Sequence, residues 1–509
     1  MNRALSVLCA ICAAETAAAS ARAETPTRTQ SPPPAATAPT SPPNLIFVLA
    51  DQLRYQSCGF AGDARARTPN IDTLAKQGVV FRNAVSGHPV CAAYRASLFT
   101  GKYTTSTGMV INELRMNPGH ECLAHVLTRH GYETAYIGKW HLWANELGNH
   151  DDPKNSFVPP GPYRLGFDGF WAAYNFHHRY YKGYYHTDSP AKIPVKGYEP
   201  DAQTDLAIAL IRRYTPAGKP FALFLSVGTP HDPWGPDNVP PEYYAMFADE
   251  GSTPRFTLPP NYKPENDPYA DAWGRFKGPA EREAIPRMMR GYYAMIANLD
   301  WNVGRLLKAI DDAGIRDRTI VVFTSDHGEM MGAQGRRAKN IFYEEAVRVP
   351  FVVRWPGRIP PTLTADACLN TPDIMPTLLS MAGLPVPPKV EGMDLSHCAF
   401  GRPGPEPEAA FMQNTGACAT WEDGHEWRAL RSKQYTYAVY RKDRKELLFD
   451  NQADPYQLRN LAGLPEHAAT LDHFRALLRK RMKELDDTFE ASTWYRDHWT
   501  RDRIITRVR

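Results

Sequence analysis

The chain has 509 residues, 43% of them hydrophobic and 22% charged, enough for one large domain with an appendage or for two or three ordinary ones. This is globular composition, with ample material for a core. The formal net charge of +4 is small for the length, and no long run of Lys and Arg is present, so no nucleic-acid partner is expected.

The first element reads as an export signal over residues 1–23. Arg3 precedes the apolar run ALSVLCAICAA, and small residues lead to Ala21-Arg22-Ala23, an A-x-A cleavage pattern. The competing reading is a disordered, alanine-rich start. The run is too short to span a bilayer, and no later segment is long and apolar enough, so no transmembrane segment is expected. The protein should therefore be exported, to the periplasm or beyond the cell. Cys9 and Cys12 lie in the signal, leaving Cys58, Cys91, Cys122, Cys368, Cys398 and Cys418. Six cysteines in so long a chain are no disulfide scaffold; Cys398 and Cys418 are the first pair to test.

Residues 24–43 are Pro, Thr and Ala with almost no large apolar side chain, an extended tether. NLIFVLADQ then opens the folded part as a continuous apolar run, the pattern of a strand buried on both faces of a parallel sheet. The same design recurs in YETAYIGKWH, PFALFLSVGTPHDP and RTIVVFTSDHG. Between them lie amphipathic helical patterns such as TPNIDTLAKQG and IPRMMRGYYAMIANLDWNVGRLLKAIDDAG. Alternation of this kind predicts a doubly wound, mostly parallel α/β sheet flanked by helices. From about residue 396 the texture changes to short alternating strands (HEWRALRSKQYTYAVY, KELLFD) and a closing amphipathic helix, a smaller C-terminal α+β subdomain. The expected division is 44–395 for a catalytic domain and 396–509 for that subdomain.

Ligands of doubly wound sheets sit beyond the carboxyl ends of the strands. Asp51-Gln52 and Asp326-His327 each follow an apolar strand, so both pairs arrive at the same edge. Together they make a hard, oxygen-rich site suited to Ca²⁺ or Mg²⁺; taken singly, each Asp reads as a helix cap. Arg95, Lys139, His141, His231 and Lys339 stand mostly at strand ends or helix starts, where a cluster of cations would hold a tetrahedral oxyanion and leave histidines free for proton transfer. Cys91 falls in the first turn of a helix in CAAYRASLFTG, one turn before Arg95, where the helix dipole favours an anion. A thiolate there would be reactive.

VCAAYRASLFTG resembles the sulfatase signature C-x-P/A-x-R followed by a short run to T-G, and GKWH resembles the second signature of that family. LADQ, TPHDP, SDHG and AKNIFYEEAVRVPFV match its other motifs in order and spacing, and RALRSKQYTY with ELLFDNQADPYQLRNLA is similar to its C-terminal part. The resemblance covers residues 44 to about 465 and implies an alkaline-phosphatase-like fold and a formylglycine-dependent sulfatase. It implies that a maturation enzyme oxidises Cys91 to Cα-formylglycine. One hydroxyl of the hydrated aldehyde would attack sulfur, and the other would expel sulfate by collapse back to the aldehyde. It implies further that Asp51, Gln52, Asp326 and His327 bind the metal, Ca²⁺ with Mg²⁺ as the alternative, with the modified Cys91 as a further ligand. Arg95 would stabilise the hydrate, and Lys139 and Lys339 would hold sulfate oxygens. His231 with Lys339 would serve the leaving alcohol, and His141 would take a proton from the second hydroxyl. Three departures stand out: Ala93 for the commoner proline, Tyr94 where a small residue is usual, and Gln52 for the more usual aspartate.

The expected substrate is a sulfate ester on a carbohydrate or polysaccharide. GFDGFWAAYNFHHRYYKGYYH concentrates aromatics, histidines, Arg179 and Lys182, and reads either as a wall that stacks on sugars or as aromatics buried under a loop. Two other functions fit parts of the pattern: a phosphodiester or phosphonate monoester hydrolase, and a non-catalytic binder of sulfated glycans that leaves Cys91 unmodified.

Overall fold

The computed structural model describes residues 42–144 and 146–509; the expected export signal and nearly all of the tether lie outside them. The strands are β1 (Asn44–Ala50), β2 (Val79–Phe81), β3 (Glu133–Lys139), β4 (Phe170–Tyr174), the short pair β5 (Tyr184–Tyr185) and β6 (Ile193–Pro194), β7 (Phe221–Ser226), β8 (Thr319–Ser325), β9 (Phe351–Arg354) and β10 (Leu363–Ala365). Eight of them form one sheet in the order β10-β2-β9-β8-β1-β7-β3-β4. Neighbours are parallel except that β9 runs antiparallel to both β2 and β8. The sheet is thus mostly parallel, as its continuous apolar strands predict.

β1 lies at the centre, with Ile46 opposite Leu223 on β7 and Val321 on β8. All seven of its residues are buried. Because strand side chains alternate, Leu45, Phe47 and Leu49 enter one core layer, while Ile46, Val48 and Ala50 enter the other. The first layer takes up α2 (Cys91–Thr100) and the helix Ile374–Met381; the second takes up α1 (Pro69–Lys76) and the helices Glu199–Tyr214 and Ile285–Asp312. Every residue of α2 is buried, and Gly101 ends it with φ of 64°, the left-handed cap that glycine adopts without strain. Tyr94, unexplained by the sequence pattern, packs with Phe99 in the first layer.

A second sheet is an antiparallel meander of β11 (Ala409–Asn414), β12 (Trp427–Ser432), β13 (Tyr435–Tyr440) and β14 (Glu446–Asp450). One face packs Phe411, Leu430, Tyr437 and Leu448 against Leu471, Phe474 and Leu478 of the helix Ala468–Glu484. The other packs Met412, Trp427, Ala429 and Tyr440 against Met330, Ile341, Phe342 and Tyr343. The meander therefore braces the segment that carries Lys339.

The six cysteines among the described residues are free, which corrects the expected Cys398–Cys418 bridge. Cys398 Sγ lies 3.2 Å from its neighbour His397 Nε2, in the core under the large sheet. Cys418 is instead held against Val90 and Ala93, with its backbone N–H donated to Asp271 at 2.7 Å.

Candidate active site

Strands β1, β3, β7 and β8 end at one edge, so Asp51, Lys139, Ser226 and Asp326 converge there. Asp326 N–H donates to Ala50 O at 3.2 Å and Asp51 N–H to Thr229 O at 3.2 Å, tying the three loops together. Arg95, one turn into α2, donates from Nη2 to both Asp51 Oδ2 (3.3 Å) and Asp326 Oδ2 (3.2 Å), and from Nη1 to Ser226 Oγ and Lys139 O, each at 2.7 Å. Lys139 Nζ adds a 2.5 Å contact to Asp51 Oδ2. All four charged side chains are fully buried. Burial alone would push the Asp51 carboxyl up. Lys139, His231, Arg95 and Lys339 outweigh it and hold the group well below the usual carboxylate range.

Cys91 Sγ lies 3.1 Å from His327 Nε2 and 3.9 Å from Asp51 Oδ1. His327 Nδ1 faces Gly328 O at 3.0 Å, which makes that nitrogen the donor and leaves the Nε2 lone pair toward Asp51, Cys91 and Asp326. Burial, ahead of its charged neighbours, depresses His327 to about 4, so the ring is neutral at ordinary pH. One donor atom from each of Asp51, Cys91, Asp326 and His327 fits within 4.8 Å of the others. Two carboxylates and a neutral imidazole, compact and preorganised, fit a divalent cation. Arg95 Nε and His141 Nδ1 are buried without a hydrogen-bond partner among the described residues, which leaves one guanidinium donor and one imidazole nitrogen unsatisfied.

Gln52 is committed at both ends of its amide. Nε2 donates to Glu329 Oε2 at 2.7 Å, while Oε1 accepts from Lys339 Nζ at 2.7 Å. Glu329 is fixed in turn by the N–H groups of Met331 (2.9 Å) and Ala338 (2.8 Å). Lys339 Nζ also lies 2.8 Å from His231 Nε2. Burial and Lys339 press the His231 pKa down, but Asp232, 2.9 Å from Nδ1, and Asp51 carry it above the ordinary value. Gln52, His141, Ala338 and Asn340 all have φ between 56° and 69°, a left-handed backbone rare outside glycine and concentrated here.

Nine of the ten expected residues (Asp51, Gln52, Cys91, Arg95, Lys139, His231, Asp326, His327 and Lys339) thus form one connected group. His141 stands on its flank: its ring packs tilted against Phe176 at 4.5 Å between centroids, and Nε2 lies 3.4 Å from Glu113 Oε1. Glu113 escaped the sequence reading, although an acidic residue inside the buried stretch GMVINEL is a usable signal. Glu329 escaped as well, three residues beyond Asp326. The aromatic segment 167–186 is divided. Phe176 and His178 face the cavity, whereas Tyr180 and Tyr184 are buried and Arg179 pairs with Asp151 at the surface. Tyr180 Oη reaches Gly228 O (2.6 Å) and His231 O (3.0 Å), so this tyrosine supports the His231 loop instead of facing a ligand.

A cavity of about 520 Å³ opens over the group, lined by Gln52, Cys91, His231, Lys339, Phe176 and His178 among others.

A family model described as Sulfatase matches residues 43–384, and one described as N-sulphoglucosamine sulphohydrolase, C-terminal, matches residues 332–487. An ulvan-active sulfatase of Formosa agariphila is 38% identical over 460 residues, 89% of this chain and 83% of the relative. The structure of a sulfatase from Bacteroides fragilis superposes with a TM-score of 0.76 at 29% identity, covering 89% of this chain and 98% of that one. A Bacteroides thetaiotaomicron structure from glycosaminoglycan metabolism gives 0.76 at 27% identity, covering 90% and 98%.

Proposed function

Because the chain belongs to the sulfatase family of the alkaline-phosphatase-like fold, and so is a sulfuric ester hydrolase, we propose that it removes sulfate from a sulfated carbohydrate through a formylglycine made from Cys91 and a divalent metal. The observation that carries this reading is the position of Cys91. It begins a fully buried helix, touches His327 Nε2 at 3.1 Å and lies on the cavity that Gln52 and Lys339 also line.

In this reading Asp51, Gln52, Asp326 and His327 hold the metal, Ca²⁺ or alternatively Mg²⁺, beside the modified residue 91. Bound there, such an ion supplies charge withdrawal from a sulfate oxygen and a lowered pKa for a hydroxyl next to it. The aldehyde supplies, as its hydrate, one hydroxyl for attack and one for release. Arg95, held rigid by Asp51, Asp326 and Ser226, orients that hydrate. Lys139 and Lys339, both buried, neutralise sulfate oxygens at the base of the cavity. His231, its pKa raised and its ring fixed by Asp232, stands with Lys339 to give a proton to the departing alcohol oxygen. His141, neutral because burial and Lys139 depress it well below the ordinary range, is suited to accept the proton of the second hydroxyl.

The carbohydrate assignment is supported by the ulvan-active relative and the glycosaminoglycan neighbour. Export to the periplasm or beyond, after maturation by a formylglycine-generating enzyme, completes the proposal. No helix among the described residues is long and apolar enough to cross a membrane. Rates on an aryl sulfate and on an aryl phosphodiester test the reaction class. Sulfate release should dominate, and a large preference for the phosphodiester would contradict it.

A further inference from the structure

The cavity has a rim that the mechanism above leaves unused. Residues 271–277 form a loop pinned from below. The buried Asp271 carboxylate accepts from Gly274 N (2.8 Å), Cys418 N (2.7 Å) and Asn340 Nδ2 (3.1 Å). Arg275 Nε donates to Ala270 O at 2.8 Å, and Phe276, buried, donates its N–H to Asn266 Oδ1 at 3.0 Å. A Cβ on Gly274 would come within 3.0 Å of Arg336, so the loop also packs closely on the body of the protein. A segment anchored at this many points is a fixed rim, and what it presents is presented steadily.

It presents Trp273 and Lys277 to the cavity that holds Gln52, Cys91 and Lys339. Trp273 is 41% exposed, a large apolar surface left in water by a loop that buries its neighbour Phe276. Lys277 is exposed and has no ion pair among the described residues. The other cation at the mouth, Arg337, is already compensated: it pairs with Glu281 and lies 4.0 Å from Asp232. Phe176 and His178 line the same cavity. An indole beside a free ammonium, next to a site for a sulfate ester, has the chemistry of a second sugar position. The indole covers a C–H face of the ring and the ammonium meets an anion carried by it.

Resting on the carbohydrate reading, we propose that Trp273 and Lys277 form a subsite for the sugar adjoining the one that bears the scissile sulfate, and that they select for an anionic group on that neighbour, a carboxylate or a second sulfate. The enzyme then prefers polyanionic glycans over singly sulfated ones.

The test uses the matured full-length protein with nitrocatechol sulfate and three sulfated disaccharides, whose second sugar is neutral, a uronic acid, or itself sulfated. For Lys277→Ala the ratio of kcat/KM for a charged disaccharide to that for the neutral one should fall about tenfold, through KM, and the fall should weaken as salt rises. The disaccharide that shows it identifies the anion. For Trp273→Ala the ratio of any disaccharide to nitrocatechol sulfate should fall by a similar factor. Lys277→Arg should restore most of the charged-to-neutral ratio. Ratios unchanged in both variants, with disaccharides still hydrolysed, overturn the subsite and leave the carbohydrate reading intact. Hydrolysis of nitrocatechol sulfate with no disaccharide turned over or bound overturns both.

Discussion

Gln52 shows at the residue scale how the site is held from outside. Its amide oxygen is turned toward Lys339 because Glu329 takes the amide nitrogen. Glu329→Gln removes that preference, since a neutral amide can face Gln52 either way. Calcium affinity after chelation should drop about tenfold in a direct titration, and an unchanged affinity would show that Gln52 is no ligand. Glu113 is a second such residue. Burial, opposed only in part by Arg503 and Lys139, pushes its carboxyl up to about 7 from an ordinary 4.5. The folded protein then keeps a proton that the unfolded chain releases, so Glu113 costs stability as pH rises through that window, and the cost persists above it. Glu113→Gln abolishes the cost. The variant should gain on the wild type between pH 4.5 and pH 7, by at most about 3 kcal/mol, read from urea unfolding at several pH values. A pH-independent difference would place the charge elsewhere.

At the scale of elements, α2 is the piece on which the site depends, because it carries both Cys91 and Arg95. Its end is fixed by Gly101, whose φ is 64° and whose added Cβ would meet Val390 at 2.8 Å. Gly101→Ala should cost about 1–2 kcal/mol of stability, measured by denaturant unfolding; a neutral substitution would mean that the cap relaxes freely. The central elements were legible in the sequence because buried parallel strands are continuous apolar runs, and the polar residue that ends each run marks where it leaves the sheet. β9 was not legible as antiparallel, since PFVV has the same apolar texture whichever way it runs. Glu113 and Glu329 were missed because their meaning lies in partners that the chain brings up from far away in sequence or across a loop. The Cys398–Cys418 pairing failed for the same reason: proximity in sequence says nothing of two cysteines that belong to different cores. In the aromatic segment, composition could not separate Phe176, which faces the cavity, from Tyr180, which supports a loop.

For the molecule as a whole, two core layers fix the edge of the large sheet, and the meander closes over the segment that carries Lys339. We read residues 44–395 as the catalytic part and 396–509 as a subdomain whose sheet stabilises that segment from behind. The buried charges Asp51, Asp326, Arg95 and Lys139 are mutually compensated inside this frame, so the frame can hold them without water. In the proposed mechanism their arrangement serves sulfate-ester cleavage only once residue 91 is an aldehyde. The most direct test is to measure sulfate release from one substrate in preparations whose Cys91 peptide, by mass spectrometry, ranges from wholly thiol to wholly formylglycine. The rate should rise in proportion to the formylglycine fraction and vanish at zero conversion, and full activity in wholly unconverted protein would contradict the central claim.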